Sequence, residues 1–218
     1  MTGILIGIKH RCPELWKAVE WLNGHLVRLR YPKLHEIADS IIKRNLTQAP
    51  ATDSVNHTDS DNNIDRLRWQ TLSPEELPAL SDFLRSLPSS SLTHFRPHPF
   101  DPGNLRRLHR SGSLLMIGVW KGKVLTGYHF LRCFANGKCF HGLVVSPESR
   151  GLGTGTRMWS IGAEIASRAG MEMYATISED NPSSLASCHR GCDAKLIKNL
   201  PQGYLLIRCN PKNVKINC

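Results

Sequence analysis

Apolar residues recur at helical spacing in the first part of the chain. They are three or four positions apart over residues 13–30, and after Tyr31-Pro32 the same spacing resumes over residues 34–42. This spacing places the apolar side chains on one face of a helix, so we predict two short helices. The pair is interpreted either as a docking element without chemistry or as an arm that binds a partner or forms a homodimer.

The hydrophobic period changes in the second half of the chain. Residues 114–120, 124–134 and 139–145 are rich in β-branched and aromatic side chains, and glycine-containing turns separate them. These features predict three consecutive antiparallel strands. The other predicted elements are a strand over 67–72, helices from Ser73 and over 104–109, a helix that ends at Ala169, a strand over 171–178, a helix over 183–189, and paired strands over 195–200 and 204–209.

A polar stretch separates the two patterns. Residues 47–65 contain no aromatic side chain, almost no large apolar one, and no Lys or Arg. Such a composition cannot bury a core and is typical of a flexible linker. We therefore predict a helical N-terminal arm over 1–46, a flexible linker over 47–65 and a larger domain over 66–218.

The composition supplies a packed core but no membrane segment. The chain has 218 residues, of which 40% are hydrophobic, and this is enough for one domain of ordinary size with an appendage. The longest apolar runs fall far short of the roughly 18 residues that cross a bilayer. Residues 1–8 lack the basic region and cleavage site of a secretory signal. With seven scattered Cys, we expect a reduced, cytoplasmic protein without membrane contact.

The net charge of +10 restricts the classes of partner. A basic surplus favours polyanions, which include nucleic acid, a phosphorylated cofactor and an anionic substrate. The basic residues, however, are spread over all predicted elements and form no recognised nucleic-acid-binding motif. The charge therefore does not favour nucleic acid as the partner.

Sulfur and imidazole side chains gather at two places in the sequence. Cys188-His189-x-x-Cys192 is one, and Cys133 to Cys139 with His141 is the other. Neither contains a Cys-x-x-Cys pair, and neither has a second half at the spacing of a zinc site. We therefore expect no metal.

A glycine-rich turn, residues 150–155, connects the third predicted strand to a helix. Glycine lets the backbone bend so that several N–H groups converge, and the helix dipole adds positive potential, so such a turn binds anions. A phosphate-binding P-loop is excluded because no Lys follows Gly155. A dinucleotide fingerprint is excluded because the turn follows an antiparallel meander and not an early βαβ unit.

The sequence motif of this turn, Arg150-x-x-Gly153-x-Gly155, resembles the pyrophosphate-binding turn of the GNAT superfamily of N-acetyltransferases. The strand before it and the amphipathic helix after it fit that family, and residues 181–185 are similar to its Asn-x-x-Ser-hydrophobic helix opening. The resemblance covers residues 66–218. It implies the α/β (α+β type) class: a mixed, mostly antiparallel sheet flanked by helices, here with an N-terminal helical extension.

The resemblance also implies acetyl-CoA as the co-substrate. The backbone of Leu143 and Val145 would pair with the pantetheine arm, and the amides of residues 151–156 would cradle the pyrophosphate. Asn181 would bind the pantetheine or the acetyl end, and Arg157 would approach the phosphates. The implied cofactor residues are Leu143, Val145, Arg150, Gly151, Leu152, Gly153, Thr154, Gly155, Thr156 and Asn181.

Transfer of an acetyl group to an amine needs a base, an oxyanion donor and an acid. The resemblance implies the Val145 amide as the oxyanion donor. Cys139 occupies a position where some relatives carry a carboxylate, and His141, two residues along, shares its strand face. His141 is therefore the first candidate base, with Glu179 and His98 as alternatives.

The general acid departs from the family pattern. Many relatives carry a Tyr about seven residues after the Asn, and this position is Cys188 here. The thiolate proton would then come from Cys188, His189, Tyr204 or water.

The acceptor is expected over the loop of residues 94–100, which carries two Phe, two His and an Arg. This mixture suits a small-molecule amine, such as an amino sugar or a nucleotide-linked amino sugar, and it equally suits a structural loop that plugs the core. Two alternatives remain open: acetylation of a peptide or protein amine, and a catalytically silent CoA-binding domain.

Overall fold

The computed structural model describes residues 13–47 and 67–212. Residues 1–12, 48–66 and 213–218 lie outside the described part. The predicted linker falls almost entirely within 48–66, so this segment and the three-part division of the chain remain predictions.

Within the described residues, most helices and strands lie within two residues of their predicted ends. The helices are α1 (Pro13–Arg30), α2 (Leu34–Thr47), α3 (Leu77–Ser86), α4 (Ser89–Leu92), α5 (Pro102–Ser111), α6 (Thr154–Arg168) and α7 (Pro182–Gly191). The strands are β1 (Leu67–Thr71), β2 (Leu114–Lys121), β3 (Val124–Cys133), β4 (Lys138–Val145), β5 (Glu172–Ser178), β6 (Asp193–Leu200) and β7 (Tyr204–Asn210). Two helices differ: α2 continues five residues beyond 42 to Thr47, and the helix predicted from Ser73 begins with a 3-10 turn (Pro74–Glu76) before α3 starts at Leu77. The short helix α4 is an addition.

The strands form one sheet with the order β1-β2-β3-β4-β5-β7-β6. Every neighbouring pair is antiparallel except β4 and β5, which are parallel. The parallel pair is joined by a crossover that contains α6, because parallel strands need a long connection. The three predicted antiparallel strands are β2, β3 and β4.

The alternation of side chains along β3 divides the core into two clusters, one on each side of the sheet. Leu131 and Cys133 belong to the first cluster, together with residues of α2, α6 and α7. Tyr128 and Phe130 belong to the second cluster, together with residues of α3 and α5. We call these two sides the α6 face and the α3 face.

Helices α1 and α2 pack into the same core as the sheet. Val27, Ile41 and Ile42 are buried in the cluster of the α6 face. By contrast, two apolar residues whose spacing indicated α1, Leu22 and Leu26, are 52% and 43% exposed. The prediction that these helices bind a partner or form a homodimer stays a prediction.

Polar groups and one small residue determine where α1 sits. The Asn23 side chain donates to the Cys133 carbonyl (3.0 Å) and accepts from the Ala135 amide (3.1 Å), beyond the end of β3. A Cβ atom at Gly24 would lie 2.1 Å from the Ser111 carbonyl oxygen. Glycine is therefore required where α1 crosses the end of α5.

None of the helices in the described residues has both the length and the apolar composition that a membrane span needs.

Candidate active site

Strands β4 and β5 pair over only three residues and then separate. The pairing joins residues 138–140 to residues 172–174. On its other side β4 pairs with β3 as far as Val145, and the Ser146 amide donates to the Thr126 carbonyl (2.8 Å). Backbone groups alternate between the two sides of an antiparallel strand. The peptide groups of Leu143 and Val145 therefore point into the opening between β4 and β5.

The glycine-rich turn lies where β4 ends and α6 begins. Gly151 and Gly153 have φ angles of +76° and +78°, which favour glycine because other residues adopt this region at a cost. No side chain caps α6, so the first amides of this helix are available to an anion. The buried Thr154 hydroxyl has no hydrogen-bond partner. The turn thus offers converging donors.

Helix α7 forms the facing wall. The Asn181 side chain caps this helix by accepting from the Ser184 amide (3.1 Å). The Trp159 ring of α6 donates to the Ser187 hydroxyl (3.1 Å). A Cβ atom at Gly191 would lie 2.3 Å from the Thr156 carbonyl oxygen, so the two helices are in backbone contact.

These walls enclose a cavity of about 700 Å³. All the predicted cofactor residues except Leu152 line it. The cavity also reaches Ser90, Ser91, His94 and Phe95, which belong to α4 and the loop after it. It therefore connects the glycine turn with the loop that the sequence indicates for the acceptor.

The two arginines near the turn have different roles. Arg150 donates to the Val145 carbonyl (3.2 Å) and to the Ser91 hydroxyl (2.5 Å), and so it fixes the rim of the cavity. Arg157 donates to the Asn45 carbonyl and lies over the Trp69 ring. Arg157 therefore contacts α2 and β1 and does not line the cavity, unlike the expectation for it.

A family model described as the acetyltransferase (GNAT) family matches residues 79–193. The chain belongs to this family. Membership confirms the predicted family and fold class and the acyltransferase class of the enzyme. A search of curated protein sequences found no match.

Solved structures support the same GNAT fold. PaiA N-acetyltransferase from Thermoplasma acidophilum, in complex with coenzyme A, is 16% identical with a TM-score of 0.55, over 66% of this chain and 98% of that one. YncA from Salmonella typhimurium, with its cofactor acetyl-CoA, is 19% identical with a TM-score of 0.54, over 66% and 91%.

A third solved structure contains a polyamine. Spermidine N-acetyltransferase from Vibrio cholerae, in complex with CoA and spermine, is 12% identical with a TM-score of 0.52, over 66% of this chain and 93% of that one. At such identities the likeness concerns the fold. The three structures thus agree with the expected co-substrate and leave the acceptor of this chain open.

In this GNAT domain, His141 lines the cavity from β4. Its Nε2 atom lies 3.1 Å from Nδ1 of His129, and its Nδ1 atom is buried without a partner. The ring also packs against Trp159, with ring centroids 4.5 Å apart. Burial, followed by the charge of His129, holds the pKa of His141 well below 6.5. The ring is therefore neutral at pH 7.

The two alternative bases lie elsewhere. Glu179 follows β5, where its amide donates to the Gly203 carbonyl (2.8 Å), and its exposed side chain does not line the cavity. His98 is buried on the α3 face, with Nδ1 3.0 Å from the Pro99 carbonyl and Nε2 3.3 Å from the Tyr128 hydroxyl. The structure thus brings only His141 of these three to the cavity.

The predicted acid, Cys188, also lies outside the cavity lining. Its side chain is fully buried, and its sulfur contacts the sulfurs of Cys192 and Cys209. Cys188 lies on the face of α7 that packs against the core, so it cannot deliver a proton to a leaving thiolate in the cavity without a rearrangement of α7.

Several residues that line the cavity carry no prediction from the sequence, among them Trp159, Ser187 and Arg190. The helical spacing assigns Met158 to the core but gives no role to the next residue, Trp159. Trp159 reaches the cavity wall because α7 packs against α6, and the sequence does not show this packing. Ser187 has a visible signal, because it is three residues after Ser184 and is its neighbour on the helix surface, and Arg190 is in turn three residues after Ser187.

Proposed function

We propose that this GNAT domain transfers the acetyl group of acetyl-CoA to the primary amine of a small molecule that is neutral or anionic. One observation carries the proposal. The open edge of β4 leads directly into the glycine turn, and both line a single cavity. A strand edge followed by a helix N-terminus suits a ligand that combines an amide-containing arm with a pyrophosphate.

The backbone performs most of the binding in this proposal. The amides of residues 154–156 donate to the pyrophosphate, and the Thr154 hydroxyl gains a partner there. Leu143 and Val145 pair with the amides of the pantetheine arm. The Val145 N–H, which faces the opening, donates to the thioester oxygen and stabilises the negative charge that develops on it.

His141 is the proposed base. Its neutral ring can accept a proton from the acceptor ammonium, and the contact with His129 holds it in place. The ring then passes this proton to the leaving thiolate or to water. No separate acid is required, which agrees with the position of Cys188 away from the cavity.

The charged residues of the cavity favour a neutral or anionic acceptor. Its lining in the described residues contains Arg150, Arg190 and His94, but no Asp or Glu. A polycation such as spermine would find no carboxylate here, whereas a phosphorylated or neutral amine would not be repelled. The Phe95 ring adds an apolar surface, so an amino sugar or a nucleotide-linked amino sugar fits best.

The cofactor site can be tested at Gly155 by calorimetry with acetyl-CoA. A Cβ atom there would meet nothing closer than 3.9 Å, so Gly155→Ala is a matched control that keeps the fold. Gly155→Glu places a carboxylate beside the proposed pyrophosphate site. We expect affinity to fall by about 100-fold in Gly155→Glu and to stay within about threefold in Gly155→Ala. Equal affinities in the two variants would contradict the proposed site.

The acceptor is tested with a panel of neutral, phosphorylated and polycationic amines, measured as thiol release from acetyl-CoA. We expect turnover with the first two groups. Faster turnover with polyamines would contradict the acceptor class.

The absence of a carboxylate and the low pKa of His141 also favour a second candidate, a domain that binds acetyl-CoA without transfer. Tight binding with no turnover across the panel would support that candidate.

A further inference from the structure

Three cysteine side chains converge between α7 and β7. Cys188 and Cys192 are one helical turn apart at the end of α7, and Cys209 lies on β7. The sulfur of Cys188 lies 3.7 Å from that of Cys192 and 3.7 Å from that of Cys209. All three sulfurs lie within 4.8 Å of one another. We call this group the cysteine triad.

The dimensions of the triad match those of a metal site. A tetrahedral zinc ion with Zn–S bonds of about 2.3 Å separates two of its sulfurs by about 3.8 Å. The two measured separations are both close to this value, whereas a disulfide requires about 2.05 Å. Three thiolates are a donor set that zinc prefers.

A groove of about 420 Å³ supplies a path and further donors. It is lined by Cys192, and also by His189, Asp193 and Lys212. Zinc has four ligands, and the triad supplies three of them. The groove thus offers an imidazole, a carboxylate or water for the fourth position, and it connects an otherwise buried group with solvent.

The other two buried cysteines of the described residues provide a contrast. Cys133 and Cys139 face each other across β3 and β4, and both are fully buried. In the described residues, no third metal-binding side chain joins them, and the triad is the group of three whose ligand atoms all lie within 4.8 Å of one another. Burial of thiols in this core therefore does not by itself produce a ligand triangle.

We propose that Cys188, Cys192 and Cys209 bind a zinc ion, with the fourth ligand supplied from the groove. Binding replaces the bond from the Cys192 thiol to the Cys188 carbonyl (3.2 Å). Each thiol that binds releases one proton, and no oxidant or reductant is needed. The ion ties the end of α7 to β7. The site is independent of acetyl transfer, so it is tested without acetyl-CoA.

The test measures the zinc content of the full chain after production with added zinc under reducing conditions and removal of loosely bound metal. We expect about one zinc ion per chain in the wild type and in the control Cys133→Ala. In Cys209→Ala we expect at least about a tenfold decrease. Added zinc should also raise Tm in the first two proteins and not in the third.

A second measurement covers the case in which Cys209→Ala fails to fold. Wild-type chain stripped of metal is titrated with Co²⁺, and thiolate-to-cobalt absorption with tetrahedral bands supports the proposal. Absence of both retained zinc and this absorption in reduced wild type overturns it. Zinc retained equally by a folded Cys209→Ala chain, or a different metal in place of zinc, also overturns it.

Discussion

The two faces of the sheet differ in how their buried polar groups are satisfied. On the α3 face, both ring nitrogens of His98 have partners, and one of these is the Tyr128 hydroxyl, while Trp120 Nε1 is the group left without one among the described residues of this cluster. On the α6 face, His129 Nε2, His141 Nδ1 and the Thr154 hydroxyl are buried without partners. The described buried cysteines belong to this face as well.

Unpaired buried polar groups are costly, and they persist where a ligand or a reaction uses them. The α3 face is mainly an aromatic cluster packed between the sheet, α3 and α5. The α6 face carries unpartnered groups beside the cavity, and the proposed function assigns binding and reaction to them. The difference teaches that neither burial nor a missing partner identifies a site by itself, since Trp120 Nε1 on the α3 face is buried without a partner and does not line the cavity. The informative groups are unpartnered ones that also lie at a cavity, such as His141 Nδ1 and the Thr154 hydroxyl.

The largest expected effect comes from a methyl group added to each face. A Cβ atom at Gly191, on the α6 face, would lie 2.3 Å from the Thr156 carbonyl oxygen, which cannot move without α6. At Gly142 it would lie 2.5 Å from the Phe130 ring, which can shift. We expect Gly191→Ala to lower the free energy of unfolding by about 3 kcal/mol and Gly142→Ala by about 1 kcal/mol.

Denaturant unfolding of both variants checks this order, with Gly155→Ala as the control for added volume. A larger loss in Gly142→Ala than in Gly191→Ala would show that the α3 face is the more rigid one.

The second prediction concerns acid. Burial lowers the pKa of His129 to about 3. As pH falls below about 6.5, this side chain is therefore protonated in the unfolded chain but stays neutral in the folded chain. The stability linked to this group is complete above pH 6.5 and is lost as pH falls towards 3. Between pH 6.5 and 5, His129 alone should reduce the free energy of unfolding by about 2 kcal/mol.

Urea unfolding at a series of pH values tests this loss. His129→Asn should reduce the dependence of the free energy of unfolding on pH between pH 6.5 and 5. His98→Asn, on the α3 face, should reduce it less, because burial lowers the pKa of His98 while the hydrogen bond to Pro99 opposes the shift. Equal reductions in the two variants would remove the distinction between the faces.

The smallest expected effect comes from one hydrogen bond on each face. Trp159→Phe removes the bond to Ser187, and Tyr128→Phe removes the bond to His98. Each should lower the free energy of unfolding by about 1 kcal/mol. Only Trp159→Phe should also weaken acetyl-CoA binding, by about threefold, because the wall formed by α7 is released. Calorimetry with acetyl-CoA on both variants separates the loss of affinity from the loss of stability. Weaker acetyl-CoA binding in Tyr128→Phe would contradict the prediction that only Trp159 supports the cavity wall.

Most of the fold follows from local patterns in the sequence. Alternating and helical periods specify β2, β3, β4 and α6, because each element buries one face against the same core. The glycine turn is also local, since its φ angles and the start of α6 depend on neighbouring residues. For this reason the residues predicted for the cofactor line one cavity, with Leu152 and Arg157 as the exceptions.

The rest depends on contacts between distant residues. Arg157 turns towards Asn45 because α2 packs on α6, and the sequence does not reveal that packing. The contact between His129 and His141 requires the register of β3 and β4. Cys209 reaches Cys188 only because β7 lies beside β5. The spacing rule that argued against a metal could not include a ligand from another strand.

The alternation along β4 has one more consequence. Every second peptide group of this strand holds it to β3, and the intervening ones at Leu143 and Val145 are free of the sheet. The ligand arm of the proposed function would therefore break no bond of the sheet ladder and would find the N–H groups of this edge already in place. The internal bond that it would meet there is the one from Arg150 to the Val145 carbonyl.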